Sequence, residues 1–329
     1  MKFFNFILSL LHLLITLMLL ACLANAYISP SQLSLLNLLS LGFPVLMILN
    51  VLLCIYWIIL FKKRAILFLV ISIFFITPTR RWINYSPEKK DKSDFSMMTF
   101  NIKNGTMGKE DVERYINEKD VDLVFLQEAS LELNLPNYPY KVDQFSQIRC
   151  YSKFPIEKFE DIKTQVDIGN SFYADIKIGS KTIRFVNIYM EPFQIDKQMV
   201  RPTRSMDENE AKAKSLVRKM LPIFKEHQIQ MQNTMAYVDN SPHPVVFVGD
   251  FNAVPNSYEY YTASKNLKDS FLEAGIGSGT SFHEFKFPIK IDHIFTSKSI
   301  KTLNYKVDRS VHVSDHFPVL ASFKFQDSL

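Results

Sequence analysis

The sequence predicts an α/β domain of two packed sheets with helices outside, preceded by N-terminal transmembrane helices. Three observations carry that prediction. No acidic residue occurs before Glu88, and long apolar runs fill that stretch. Beyond it, apolar and charged residues alternate as they do in a soluble domain. Strand-like runs there outnumber helix-like ones, which favours two layers of sheet. The expected division is an anchor at 1–78, a linker at 79–93 and a folded domain at 94–329.

Phe3 to Ala26 is almost wholly apolar, and so is Leu33 to Phe61 apart from Gly42 and Pro44. A hydrocarbon core of about 30 Å takes about 20 residues of helix, so each run is long enough to cross. A third run, Ala65 to Ile76, spans only with help from Thr77, Pro78 and its basic flanks. The expectation is therefore two or three transmembrane helices. A cleaved signal peptide competes for the first run, because Ala24-Asn25-Ala26 has small-x-small spacing. The run exceeds the usual apolar length and has only Lys2 ahead of it, which disfavours cleavage. Lys62-Lys63-Arg64 follows the second run, and the loop before that run has no charge. The positive-inside rule then puts the amino terminus and the Lys-Lys-Arg turn in the cytoplasm. With three crossings, the folded domain lies on the extracytoplasmic side of a multi-pass membrane protein.

The formal net charge is +5, from 38 Lys+Arg against 33 Asp+Glu. Six of the basic residues (Lys2, Lys62, Lys63, Arg64, Arg80, Arg81) precede Glu88, which leaves 32 against 33. The excess base flanks the apolar runs, so the charge gives no support to nucleic-acid binding. Cys22, Cys54 and Cys150 are too few and too scattered for a disulfide framework or a zinc site.

The folded part opens with a strand, Phe95 to Asn101. Lys109 to Glu118 has helical spacing, and Val121 to Gln127 is a buried-strand run. Ser171–Ile178 and Lys181–Tyr189 form a hairpin around Gly179-Ser180. Met206 to about Met235 reads as a long helix broken at Pro222. Val245–Val248 is a short buried strand, and Ile291–Phe295 and Pro318–Phe325 close the domain. Gly275-Ile-Gly-Ser-Gly279 lacks the Lys-Ser/Thr of a phosphate loop and reads as a flexible loop. The basic positions Lys212, Lys214, Arg218, Lys219 and Lys225 alternate with glutamates and read as a solvated helix face.

Five polar positions stand at the ends of apolar strands: Asn101, Glu128, Asp250 with Asn252, Asp292, and Asp315 with His316. Each has a plain structural explanation alone, as turn former, helix cap, Asx turn, lysine partner or buried histidine. Strand ends lift side chains to one rim of a sandwich, so residues distant in sequence can meet there.

Thr99-Phe-Asn-Ile102, Leu123-Val-Phe-Leu-Gln-Glu128, Val246-Phe-Val-Gly-Asp-Phe-Asn252, Ile291-Asp-His-Ile-Phe295 and Ser314-Asp-His-Phe-Pro-Val319 occur in that order. Together they resemble the endonuclease/exonuclease/phosphatase superfamily, and Cys150-Tyr-Ser-Lys-Phe-Pro-Ile156 resembles a further stretch of it. The resemblance implies a four-layer α/β/β/α sandwich that hydrolyses phosphate esters with a divalent cation. It also implies roles that agree with elementary chemistry. An anionic phosphate ester repels hydroxide, so hydrolysis needs neutralised charge and a positioned water. A hard cation such as Mg²⁺, or Mn²⁺, takes oxygen ligands. Glu128 is the best ligand the resemblance implies, with Asn101 beside it and Asp315 as a third candidate. Asp250 is then expected to activate water, and Asn252 to give a neutral hydrogen bond to phosphoryl oxygen. His316 held by Asp292 is expected to contact the phosphate as charge develops. The general base is either Asp250 or the His316–Asp292 pair. Two departures stand out. Many members carry Asn-Thr-His where this chain has Asn187-Ile-Tyr189, and a phenol there can still donate to phosphate. Lys103 occupies a place that is Asp in abasic-site enzymes, which weakens a second-metal argument.

The leading reading is a membrane-anchored phosphoesterase acting on lipid-borne or small phosphate esters. The alternatives are a nuclease acting on DNA or RNA and a catalytically inactive phosphate-ligand binding module. Intact Glu128, Asp250, Asn252, Asp292 and His316 argue against the last.

Overall fold

Strand after strand beyond Asp94 sends alternate side chains to opposite faces, and that alternation builds the layers. A computed structural model describes residues 2–87, 89–163, 165–285 and 287–326. The first residue of the expected anchor and the last three of the expected folded domain lie outside the described residues.

In the first sheet, β2 (Phe95–Asn101) lies parallel to β3 (Leu123–Gln127). Around them run β4 (Tyr140–Val142), β5 (Ile148–Ser152), β13 (Ile300–Val307) and β14 (Val319–Phe325), in the order β13-β14-β2-β3-β5-β4. The second sheet has the order β10-β12-β9-β8-β7-β6. Its strands are β6 (Ile156–Asp161), β7 (Asn170–Ile178), β8 (Lys181–Tyr189), β9 (Val245–Asp250), β10 (Lys268–Asp269) and β12 (Asp292–Thr296). Both sheets are mixed, because β8 and β9 are also parallel. Phe95, Met97 and Phe125 of one sheet meet Phe172, Phe185, Val246 and Val248 of the other in a single core. The intervening residues face outward. Met98 and Phe100 pack on Val112 and Ile116 of α7 (Lys109–Lys119). Val245 and Phe247 pack on Met231, Met235 and Val238 of a 34-residue helix, Met206–Asp239. The four-layer α/β/β/α sandwich follows from period-2 strands met by helices with a 3.6-residue apolar stripe.

The long helix, preceded by α8 (Lys197–Val200) and numbered α9, continues through Pro222 rather than ending there. Met220, Phe224 and Met231 anchor the turns on either side in the core, and this packing outweighs the backbone bond that proline forfeits. The remaining short helices are α10 (Tyr258–Ser264) and α11 (Ser270–Ala274). The glycine-rich stretch expected as a flexible loop is strand β11 (Ile276–Ser278), paired antiparallel with β1 (Ile83–Tyr85). The segment expected as a polar linker is thus laid down on the domain. Asn84 donates to the Phe271 carbonyl at 2.8 Å, and Asp91 pairs with Lys301 at 2.9 Å.

Before β1 the chain is helical. Among the described residues one helix is long and apolar enough to cross a membrane: Lys2–Ala26, formed by α1 (Lys2–Leu23) and a 3-10 turn. After α2 (Pro30–Leu33), the expected second span is two helices, α3 (Leu35–Leu41) and α4 (Phe43–Ile59), bent by 64°. Pro44 explains the bend, since it has no N–H to continue the preceding helix and its ring crowds the carbonyl four residues back. The expected third span is also no uninterrupted helix. It consists of α5 (Arg64–Ser72), a 3-10 turn and α6 (Ile76–Arg80), with Pro78 in the last.

Candidate active site

Five strand ends meet at one rim of the sandwich. β2 delivers Asn101, β3 leads into Glu128, β8 ends at Tyr189 and β9 ends at Asp250. β12 starts with Asp292, which is the register partner of Asp250 in the antiparallel ladder. Gly249 makes this meeting feasible. A Cβ there would lie 2.0 Å from the Ile188 carbonyl oxygen, and its φ is +141°, so only glycine lets β9 lie this close to β8 at the rim.

Asn101 is the hub. Its amide nitrogen donates to Glu128 Oε1 at 3.0 Å and to Asp250 Oδ2 at 2.9 Å, and its oxygen accepts from the Lys103 backbone at 3.0 Å. The Tyr189 hydroxyl donates to the same Glu128 oxygen at 3.1 Å. Asp250 accepts from the Asn252 backbone N–H at 2.8 Å, the Asx turn expected of Gly-Asp-Phe-Asn. His316 Nε2 stands 3.8 Å from Asp250 Oδ2, while its Nδ1 is 2.9 Å from Asp292 Oδ2. Ser281 donates a hydroxyl to that Asp292 oxygen. Asn252 has φ +44° and turns its amide nitrogen onto the Met190 carbonyl at 2.9 Å. Asn101, Glu128, Tyr189, Asp250, Asn252, Asp292 and His316 are therefore one connected group. Asp315 stands slightly apart, with its carboxylate 2.6 Å from the Lys103 ammonium, which also lies 3.6 Å from Glu284.

Burial sets the protonation states. Desolvation, together with the neighbouring Asp292 charge, lifts Asp250 to about 7, even though His316 and the Asn101 bond favour its charged form. Burial pulls His316 down, but Asp292 and then Asp250 outweigh it and raise the imidazole to about 10. The two titrate as a coupled pair, with the proton favoured on the histidine. Burial, and then the charges of Glu128 and Asp250, push the Tyr189 phenol far above its ordinary value, so it remains a donor.

The donors present fit a hard divalent cation. Asp250, Asp292 and His316 each offer an atom within 4.8 Å of the others. The Glu128 carboxylate joins this set through Asn101, which donates to both Glu128 and Asp250. Asp292 Oδ1 is buried with no hydrogen-bond partner among the described residues, so this pocket of negative charge is short of positive partners. Asp292 and Asp250 keep the His316 imidazole protonated and so out of coordination; the remaining donors are carboxylate and amide oxygens with no thiolate, which suits Mg²⁺ or Mn²⁺ rather than a softer metal.

Several contributors escaped the sequence reading. Ser281 lies in a loop with no strand pattern to place it. Gln127 and Asn187 join the two sheets beneath the site by a 2.7 Å side-chain bond, which becomes visible only when both strands are in register. Ser314 donates to the Asn101 carbonyl at 2.7 Å and so ties the Ser-Asp-His segment to β2.

A family model described as the Endonuclease/Exonuclease/phosphatase family matches residues 98–316, and one described as a domain of unknown function matches residues 4–82. No curated protein matches the chain. Among solved structures, an endonuclease/exonuclease/phosphatase family protein from Bacteroides thetaiotaomicron is 18% identical with a TM-score of 0.54. That match covers 74% of this chain and 100% of the other. A mannosyl-6-phosphatase from the same organism is 19% identical with a TM-score of 0.51, covering 70% of this chain and 100% of that one. D. rerio TDP2 complexed with single strand DNA product is 15% identical with a TM-score of 0.51, covering 70% and 98%. At these identities the likeness is one of fold.

Proposed function

Because the chain belongs to the endonuclease/exonuclease/phosphatase family, whose members are metal-dependent hydrolases of phosphoester bonds, we propose that it is a membrane-anchored phosphoesterase using an activated water. The observation that carries this reading is the unbroken chain of contacts from Tyr189 and Glu128 through Asn101 to Asp250, and on through His316 to Asp292. Glu128 and Asn101 are the proposed cation ligands, with Asp315 held in reserve by Lys103. A cation bound there supplies positive charge to the phosphate and to developing oxyanions. Asp250 is the proposed base, because it is the member of the coupled pair that loses its proton first. His316, kept cationic by Asp292, donates to phosphoryl oxygen, and Asn252 and Tyr189 add neutral donors that do not repel the nucleophile.

The anchor is proposed for residues 1–78, joined through 79–93 to a catalytic domain at 94–329. The outward faces of α1, α4 and α5 support it. Leu14 and Leu17, Ile48 and Leu52, and Ile66 and Val70 are all exposed large apolar residues. His12, Asn50 and Trp57 turn inward, and His12 bonds the Asn50 side-chain oxygen and accepts from the Trp57 indole, each at 3.0 Å. Arg64 reaches the Asn5 carbonyl at 3.4 Å, so the Lys-Lys-Arg turn and the amino terminus share the end of the bundle away from the sandwich. By the positive-inside rule the catalytic domain then faces the extracytoplasmic side.

The proposed substrate is a lipid-borne or small phosphate ester. The single-strand DNA product bound to one neighbour keeps a nuclease as the alternative. The test is full chain in detergent with Mg²⁺, assayed against DNA, RNA, sphingomyelin, inositol and sugar phosphates and a chromogenic bis-phosphodiester. Turnover of nucleic acid faster than every other ester, with a steep inverse salt dependence of binding, overturns the preference.

A further inference from the structure

We propose that the N-terminal anchor and its junction with the catalytic domain are a working part of the active site: Asn25, Ser40 and Arg81 clamp Asn256 and so position the Asp250–Asn252 turn. The proposal rests on the reading of Asp250 and Asn252 as catalytic. Asn256 follows Asp250 by six residues and is fully buried at the seam between the anchor and the sandwich. Its carbonyl accepts from Asn25 Nδ2 at 3.0 Å and from Ser40 Oγ at 2.7 Å. Its side-chain oxygen accepts from Arg81 Nη1 at 2.8 Å, and its amide nitrogen faces the Pro78 carbonyl at 3.3 Å. Two anchor segments, at Asn25 and Ser40, and the junction from Pro78 to Arg81 thus converge on one residue of the catalytic loop.

The loop between is short and conformationally demanding. Asn252 at φ +44° and Asn256 at φ +71° bracket it, and such left-handed residues persist only where their surroundings hold them. Ala253 is fixed by the His293 imidazole at 2.9 Å, and the Asn252 side chain by Met190. At its amino end the loop is held by β9; at its other end the partners come from the anchor. A second buried line runs in parallel. Asn37 donates to both oxygens of Glu259 at 2.8 and 2.9 Å and accepts from the Tyr258 N–H at 2.8 Å. Glu259 stands 3.3 Å from His227, whose other nitrogen is 2.7 Å from the Glu191 carbonyl, two residues beyond Tyr189. A tether needs only apolar packing, which Phe43, Trp82, Val254 and Ile291 already provide at this seam. A dense polar set with defined directions fixes geometry as well, since a lost partner leaves a buried group unsatisfied.

The test uses the full chain in lipid nanodiscs with Mg²⁺. Ser40→Ala, Asn25→Ala and Arg81→Ala are compared with Ser40→Thr, which keeps the hydroxyl. Ser72→Ala, a half-buried bundle position whose hydroxyl bonds Asn50 and the Phe68 carbonyl, is the control. For a soluble bis-phosphodiester, the clamp variants should lose roughly tenfold to hundredfold in kcat with KM little changed. Hydrogen exchange in the peptide spanning 250–258 should rise, while Ser40→Thr and Ser72→Ala stay near wild type. Wild-type kcat and unchanged exchange in Ser40→Ala overturn the clamp, as does an equal loss in Ser72→Ala. If Asn25→Ala fails to fold, Ser40→Ala decides alone. If the wild type turns over no phosphoester, the functional reading fails while the exchange data still decide the clamp.

Discussion

The helical bundle and the sandwich wear opposite surfaces. Around α1, α4 and α5 the large apolar side chains point outward, and the polar His12, Asn50 and Trp57 are sealed inside. In the sandwich the apolar side chains fill the interface between sheets, and polar side chains collect at one rim. The same rule explains both: each backbone and side chain meets the solvent it can satisfy, with lipid proposed for one region and water for the other. The difference teaches where chemistry is affordable. Polar groups inside the bundle bond one another and hold helices together, whereas at the rim Glu128 and Asn252 stay half-buried beside the buried Asn101, Asp250 and His316.

The largest expected effects come from breaking the rim. Excess chelator should abolish hydrolysis and Mg²⁺ should restore it; full turnover in chelator would remove the cation from the reading. Asp250→Asn and His316→Ala should each lower kcat by roughly two to four orders of magnitude, as losses of a base or a charge-stabilising donor do. Circular dichroism should show both variants folded, because the sheet core is made elsewhere. A well-folded variant of either kind with near wild-type kcat would sink its assigned role.

The acid–base pair sharpens the comparison through pH. Asp250 is raised to about 7 and must be ionised, so kcat/KM should rise as pH climbs through that region. His316 is raised to about 10 and must be protonated, so the rate should fall as pH approaches that value. A bound cation near Asp250 draws the lower limb down by favouring its charged form. The expected profile is a bell, and His316→Gln should remove its alkaline limb. A flat profile from pH 6 to 10 would contradict the assignment.

The opposite surfaces can be broken by one lysine placed in each. Leu52 and Ile229 are both exposed, one on the bundle and one on α9. Leu52→Lys should cost about 3 kcal/mol of membrane insertion, the scale for a charge near a helix centre, and shift protein into the alkali-extractable fraction. Ile229→Lys should change stability by about 0.5 kcal/mol or less. Equal behaviour of the two would mean that the bundle does not meet lipid.

What the sequence revealed follows this division. The strand ends at Asn101, Glu128, Asp250 and Asp292 were legible because each borders an apolar run, and Gly249-Asp250-Phe251-Asn252 carries its own turn chemistry. The bend at Gly42 and Pro44 was harder to read: composition fixes the apolar content of a run but not its path. Pro222 misled in the other direction, since long-range packing of Phe224 and Met231 lies outside any local pattern. Ser281, the Gln127–Asn187 bond and the Asn256 contacts depend on residues brought together by register and docking. Lys103 was legible as a departure, but its pairing with Asp315 and Glu284 was not.

Tyr189 gives the smallest and most discriminating prediction. Its phenol sits at the rim, buried, and donates to the Glu128 oxygen that also accepts from Asn101. Removing the hydroxyl leaves the ring in place, so the β8 end and the core beneath it should keep their packing. The loss is one neutral donor, either to the proposed cation ligand or to phosphate in the reacting complex. A cost of about tenfold in kcat is expected for Tyr189→Phe, against the far larger loss from the charged pair, because a neutral hydrogen bond contributes roughly 0.5–1.5 kcal/mol. The split between constants locates the donor. A raised metal requirement with kcat restored at saturating Mg²⁺ places the phenol on the Glu128 carboxylate. A lowered kcat at every Mg²⁺ concentration places it on phosphate. A Phe variant indistinguishable from wild type in both would leave Tyr189 as a packing residue and remove it from the site.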